Sequence, residues 1–333
     1  MTLDEAELGR RDAKGSWTPE DAPDFGPLFA WPIKPLAIAR WFVLDYLVSW
    51  QLLYFGVAAG VWFLAAPSVE TMSRIHPGWI AFVLARNLAI VVAWYGLWHL
   101  RLYSRRSQDT RTKYNASWPR RSTRFTFGHQ TKDNVFWSLA SGVPIMTAFE
   151  VIGLWLFASG RIPWLRWADD PVWFVVLMLL IPIWREVHFY AVHRLIHKPV
   201  LYRKVHALHH RNVNPGPWSG LSMHPIEHVG YFSASAIHWI VPSHPLHLLF
   251  NQFHLAMAPV PGHAGFERIE VGGASLDTHG FAHYLHHKYF EVNYSDGAVP
   301  LDRWFGSFHD GSPDSMDRLR ARRRTNVHTA GDA

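Results

Sequence analysis

The 333-residue sequence predicts an all-α, multi-pass membrane protein with a helical, histidine-rich region beside the membrane. Three observations carry this. Four apolar stretches are long enough to cross a hydrocarbon core of about 30 Å, which takes about 20 helical residues. Trp, Tyr and Phe number 18, 11 and 21 and sit mostly in or beside those stretches, where amphipathic rings favour a bilayer interface. Eight histidines fall in three tight groups, HRLIH, HALHH and HYLHH, at helical spacing.

Residues 1–37 are polar and proline-containing and read as a poorly ordered arm. The opening MTLDEAELGRRDAKG has no apolar run before a cleavage-like site, so a removable signal peptide is not expected. A single membrane domain is predicted over 38–317, with spans near 38–66, 79–100, 136–158 and 171–191. Arg86 interrupts the second span and Glu150 lies in the third. An intramembrane Arg is costly, so Arg86 is expected to face protein or water. Between Arg101 and Lys132 come nine Lys or Arg residues against one acid, Asp109, which marks this loop as cytoplasmic and places both termini on the same side.

Residues 229–256 are apolar but divided by Pro242 and Pro245. Each half is too short to cross, which predicts a helical hairpin or re-entrant pair. The GHAGFERIEVGGASLDTHG stretch reads as a loop, and 318–333 as a basic, frayed tail. The net charge of +6 sits in blocks flanking apolar segments, which fits anionic headgroups better than nucleic acid. There is no cysteine, so neither a disulfide nor a thiolate metal site is possible.

His193 and His197 lie four residues apart on a helix leaving the fourth span, so they share one face. His206 and His210 repeat that spacing with His209 between them, and His283, His286 and His287 repeat it again. Adjacent histidines with a third imidazole one turn back offer little to ordinary packing, and eight imidazoles exceed the needs of one ion. They predict a polynuclear metal centre within 184–311, for which an all-imidazole set leaves Fe, Cu, Zn and Mn open. Isolated histidines usually have structural roles. His188 lies roughly 140° round the helix from His193 and belongs outside the cage. His254 is either structural or the lining of a channel.

HRLIH, HALHH and HYLHH, in this order beside membrane spans, resemble the three histidine boxes of the fatty acid hydroxylase and sterol desaturase superfamily. The resemblance runs from Trp184 to Gly311, through YAVHRLIHKPVLYRKVHALHH, SMHPIEH and HYLHHKYFEVNYSDGAVPLDRWFGSFHDG. It implies two iron ions, O2 as co-substrate, a membrane lipid substrate and attack on an unactivated C–H bond. Hydroxylation is favoured, with desaturation by the same site as the alternative. It also implies His263 as an additional ligand.

His224 is a further candidate, as a ligand or as a hydrogen-bond donor behind one, and His279 is expected to support His283 or to bind metal itself. Glu227 is the candidate catalytic carboxylate, assigned to fix a ligand imidazole, since ligating histidines usually pass their other N–H to a carboxylate or carbonyl. Asn293 and Asp302 are expected to be structural. No GxGxxG or GxxxxGK[ST] run occurs, so electrons are expected from a separate protein on the cytoplasmic face, and the oligomeric state is left open. A membrane metal carrier is a non-enzymatic alternative, but carriers place their ligands near midplane. A membrane zinc hydrolase calls for HExxH, which is absent.

Overall fold

The computed structural model describes residues 8–21, 23, 26–48 and 50–331. Its long elements are helices: α1 (Pro35–Trp41), α2 (Trp50–Ala65), α3 (Pro77–His99), α4 (Gln130–Trp137), α5 (Val143–Ala158), α6 (Pro171–Ile196), α7 (Pro199–Lys204), α8 (Pro225–Phe232), α9 (Pro245–Met257), α10 (Phe281–Tyr289) and α11 (Pro313–Gly331). Many begin on proline, whose fixed φ suits the first turn and whose missing N–H is an orphan donor there anyway. In front of the proline stands a side chain that takes up a free backbone N–H. Asp170 Oδ1 accepts from Trp173 N at 2.8 Å, and in each of the three His-Pro pairs the imidazole accepts from the residue after the proline.

Three helical stretches among the described residues are long and apolar enough to cross a membrane, at Pro77–Ser104, Gln130–Ala158 and Pro171–Ile196. Pro35–Leu47 and Trp50–Ala65 pass the same test together as one bent pair. Their outer faces expose large apolar side chains such as Phe63, Leu64, Leu97 and Val172, as lipid contact requires. The 26 residues of α6 rise roughly 39 Å, more than a hydrocarbon core needs, with His193 in its last turn and His197 as its C-cap.

Residues 225–257 form a helical hairpin. Its second arm, α9, is buried along its whole length and packs on α2, α5 and α6. Several of its polar side chains find partners inside the protein. His247 Nε2 lies 2.9 Å from the Phe174 carbonyl, Asn251 Nδ2 lies 3.2 Å from His238 Nε2, and Gln252 donates to Ser235 Oγ at 3.1 Å. Arg86 of α3 faces protein, in an ion pair with the fully buried Glu150 of α5. Asn87 completes the cluster by donating to Glu150 Oε2 at 2.8 Å and to Thr147 Oγ1 at 3.1 Å.

Three segments are more ordered than their composition suggests. Within the N-terminal arm, Gly9–Arg11 (β1) and Trp17–Pro19 (β2) pair antiparallel. The buried Trp17 ring packs beside Tyr114, and Arg11 donates to the Thr110 and Lys113 carbonyls. Arg268–Val271 (β3) and Ala274–Asp277 (β4) form a hairpin in the stretch read as loop. Its turn is Gly272-Gly273, with φ of 57° and 85°, a conformation open to glycine at little cost. The basic tail is the helix α11, held down where Arg322 and Arg323 donate to the Glu291 and Tyr289 carbonyls.

Candidate metal centre

Nine imidazoles converge in two adjoining groups. His193, His197, His206, His210 and His286 form one, and His209, His263, His283 and His287 the other, with the ligand atoms of each group within 4.8 Å of one another. All eight histidines of the three motifs are therefore brought together, and His263 joins them. Local geometry decides the division. HALHH occupies the tight 3₁₀ turn His206–Arg211, where the His206 and His209 rings stack at 5.4 Å yet belong to different groups. In HYLHH, on α10, the i,i+4 pair His283 and His287 belongs to the four-membered group and His286 crosses to the other.

Their spacing is that of ligands round an ion. Nε2 of His263 lies 3.0 Å from that of His283, 3.1 Å from His287 and 3.4 Å from His209. Nε2 of His210 lies 3.2 Å from that of His197 and 3.1 Å from His286. Metal–imidazole bonds of about 2.1 Å put neighbouring ligand nitrogens at roughly these separations. Hydrogen bonding alone does not account for the cluster, because His263 Nε2 meets three nitrogens and carries at most one proton. Burial and the proximity of the other imidazoles hold His209, His210, His283, His286 and His287 well below the usual histidine range, and burial brings His263 down to about 4. Neutral imidazoles keep the lone pair a metal requires.

The outer nitrogens are fixed by the chain. His193 Nδ1 lies 2.8 Å from the Tyr294 carbonyl, His286 Nδ1 2.6 Å from that of Val292, His263 Nδ1 2.8 Å from that of Pro259 and His209 Nδ1 3.2 Å from that of Ser222. Each contact sets the tautomer that leaves Nε2 free to ligate. The loop supplying the first two carbonyls is itself clamped. Asp302 accepts from Tyr294 N, Ser295 N and the Ser295 and Ser307 hydroxyls, Glu186 accepts from Gly297 N and Val299 N, and Arg185 pairs with Asp296. Gly220 allows the Pro259 segment to approach, since a Cβ there would lie 2.7 Å from Pro259 Cβ.

Glu227 is the carboxylate behind the cage, with Oε1 2.7 Å from His206 Nδ1. It stands outside both ligand groups, in hydrogen-bond contact with His206 of the five-membered one. Burial pushes its carboxyl well up from the usual range.

His224, His279, His188 and His228 are among the histidines outside the cage. His224, a candidate ligand or hydrogen-bond donor, belongs to neither group. Its Nδ1 accepts from Ile226 N at 3.2 Å as the cap of α8, so that lone pair is used. His279 also belongs to neither group and is largely exposed beside Asp277, with a positive φ of 52°. His188 bonds Ser233 Oγ at 3.0 Å, and His228 lies between Ser141 Oγ and the Leu221 carbonyl. Asn293 is structural, bridging Ala282 and His309.

A cavity of about 1030 Å³ reaches the cage, with His193, His206, His209, His263 and His283 in its lining. Exposed Trp31 and Trp304 line it as well. Gln51, Tyr54 and His254 lie along its wall, so His254 is a cavity residue as well as a helix-core one.

Residues 178–307 match the family model Fatty acid hydroxylase. The chain is similar to the Delta(7)-sterol 5(6)-desaturase erg3C of Aspergillus fumigatus, at 28% identity over 172 residues, 44% of this chain and 52% of that protein. It is similar to the Delta(7)-sterol 5(6)-desaturase ERG3B of Gibberella zeae, at 27% over 145 residues, 43% of this chain and 44% of that protein. A shorter stretch is 38% identical over 74 residues to Fatty acid hydroxylase domain-containing protein 2 of Homo sapiens, 20% of this chain and 22% of that protein. The chain thus spans about half the length, or less, of these curated relatives. No solved structure matches. Residues 178–307, which carry the ordered histidine boxes, are thus similar to the fatty acid hydroxylase family and to these sterol desaturases.

Proposed function

We propose that the chain is a di-iron, O2-dependent hydroxylase acting on a C–H bond of a membrane lipid. The observation that carries this reading is the pair of adjoining imidazole groups reached by a cavity in a bundle of apolar helices. Two iron ions, when bound, would supply the O2 activation and redox chemistry that side chains lack. The five-membered group would hold one ion and the four-membered group the other.

The chain's own part is binding, orientation and exclusion of water. Tyr294, Val292, Pro259 and Ser222 carbonyls and the Glu227 carboxylate fix the ligand tautomers. The cavity holds the lipid so that one C–H bond meets the cage, which turns an encounter into an oriented contact. Burial of His286 and His287 keeps bulk water from the inner side of the site.

Hydroxylation by this route consumes O2, two electrons and two protons and returns one water. We place the electron source in a separate acidic protein that meets the basic 101–132 segment, with both termini and the metal site on the cytoplasmic side. Desaturation is the second reading, favoured by the sterol desaturase names of the two relatives. It uses the same site and cofactors, and differs in removing two hydrogens without retaining oxygen.

Lipid profiling of cells with and without the chain, with His283→Ala as control, tests the proposal. A hydroxylated lipid dependent on the unaltered chain is expected. A new double bond would replace the first reading by the second, and an unchanged lipid profile with iron present would overturn both.

A further inference from the structure

The cavity carries a polar cluster that the cage does not use. Gln51 and Tyr54 of α2 meet His254 of α9 on its wall. The Tyr54 and His254 rings stack with centroids 5.3 Å apart, and Gln51 Nε2 lies 3.5 Å from His254 Nε2. Tyr54 and His254 are 1% and 2% exposed, yet Tyr54 Oη, Gln51 Oε1 and His254 Nδ1 have no hydrogen-bond partner. Among the unpaired buried side-chain atoms of the described residues, these three share one stretch of cavity wall, which points to a partner that arrives from outside.

The chemistry of that partner follows from what the cluster leaves over. If the Gln51 amide donates to His254 Nε2, the imidazole keeps an N–H at Nδ1 and the amide keeps its oxygen as acceptor. If the amide is turned round and accepts, the imidazole keeps an acceptor and the amide keeps a donor. Either way one donor and one acceptor remain, with the ambivalent Tyr54 phenol beside them. A hydroxyl matches this set because it donates and accepts at once. An ether, ester or carboxylate accepts only, and a hydrocarbon does neither. Also in the lining, the charge of Arg185 is balanced by Asp296, which leaves the cluster suited to a neutral group, while Arg185 Nε is a further unpaired donor.

We propose that Gln51, Tyr54 and His254 form a subsite for the hydroxyl group of a lipid substrate, whose apolar body then runs along the cavity to the cage. This rests on the reading of the chain as a lipid-oxidising enzyme, and it selects alcohols among the lipids that reading allows.

The test is equilibrium binding to the full chain in detergent with two matched probe pairs, cholestanol against cholestane and octadecanol against octadecane. In at least one pair the alcohol is expected to bind about tenfold more tightly than the hydrocarbon, the worth of one well-placed hydrogen bond. The double variant Gln51→Leu, Tyr54→Phe is expected to bring the two members of that pair together. Its hydrocarbon affinity is expected to stay unchanged, which reports an intact fold. Equal binding within both pairs, or a preference for alcohol that survives the double variant, overturns the subsite. Iron content and lipid oxidation in the same preparation report separately on the oxidase reading, which survives failure of the subsite.

Discussion

His209 and His210 are neighbours in the chain, yet their Nε2 atoms approach different groups, His209 reaching His263 at 3.4 Å and His210 reaching His286 at 3.1 Å. The same division separates His286 from His287. Each HxxHH box therefore spans both groups and ties them into one unit.

This arrangement predicts how metal is lost. His210→Ala with His286→Ala removes two ligands from one group, and His209→Ala with His287→Ala two from the other. Each pair should lower bound metal from about two ions per chain to about one, since each ion needs about four ligands. The crossed pair His209→Ala with His286→Ala leaves four ligands in one group and three in the other, and should weaken the second site while the first keeps its ion. Metal-to-protein ratios across the three double variants check this. Loss of both ions from any of the three would contradict separate sites.

Glu227 should matter to metal retention although it touches no ion. Removing a hydrogen-bond partner behind a ligating histidine typically weakens metal binding 10- to 100-fold. Glu227→Ala is expected to speed chelator-driven metal release by about that factor, with Glu227→Asp intermediate and helical circular dichroism unchanged. A release rate equal to that of the unaltered chain would show that His206 is positioned by other means.

The Arg86–Glu150 pair is buried between two apolar helices. Glu150→Ala strands the guanidinium and is expected to cost about 3–5 kcal/mol in unfolding free energy. Replacing both partners, as Arg86→Met with Glu150→Leu, is expected to recover most of that. Denaturant titration in micelles measures both, and additive losses in the double variant would refute the coupling.

Glu267 accepts from the Tyr114 hydroxyl at 2.7 Å, and burial, aided by the nearby Asp277, pushes its carboxyl up to about 7. A raised acid pKa means that the folded chain holds the proton more tightly than the unfolded one. Glu267 therefore opposes folding increasingly as pH rises from its ordinary value of 4.5 to about 7, and its effect is constant above that. Glu267→Gln should match the unaltered chain in melting temperature at pH 5 and exceed it at pH 8. A constant gap between the two across that range would contradict the shift.

Much of this was readable because apolar length and i,i+4 histidine spacing are local signals. The spans and the eight box histidines needed no tertiary information. What decides the partition of the boxes is not local. The 3₁₀ turn at His206–Arg211 turns one box so that its i,i+4 pair enters the five-membered group, whereas α10 sends its own to the other. His224 has a use the motif does not reveal, since a histidine followed by proline caps a helix here and likewise at His76 and His244. The Val-Gly-Gly-Ala turn of the β3–β4 hairpin carried a turn signal that the polar surroundings obscured. Gln51 and Tyr54 carry no motif at all, and only the approach of α9 to α2 gives them a common role.

The central claim is that the two imidazole groups hold a pair of redox-active ions. The iron-to-protein ratio of the full chain, purified without oxygen and followed by Mössbauer spectroscopy, tests it most directly. The account predicts about two irons per chain in nitrogen-rich coordination. A single zinc with closed coordination, or one iron with the second group empty, would contradict it.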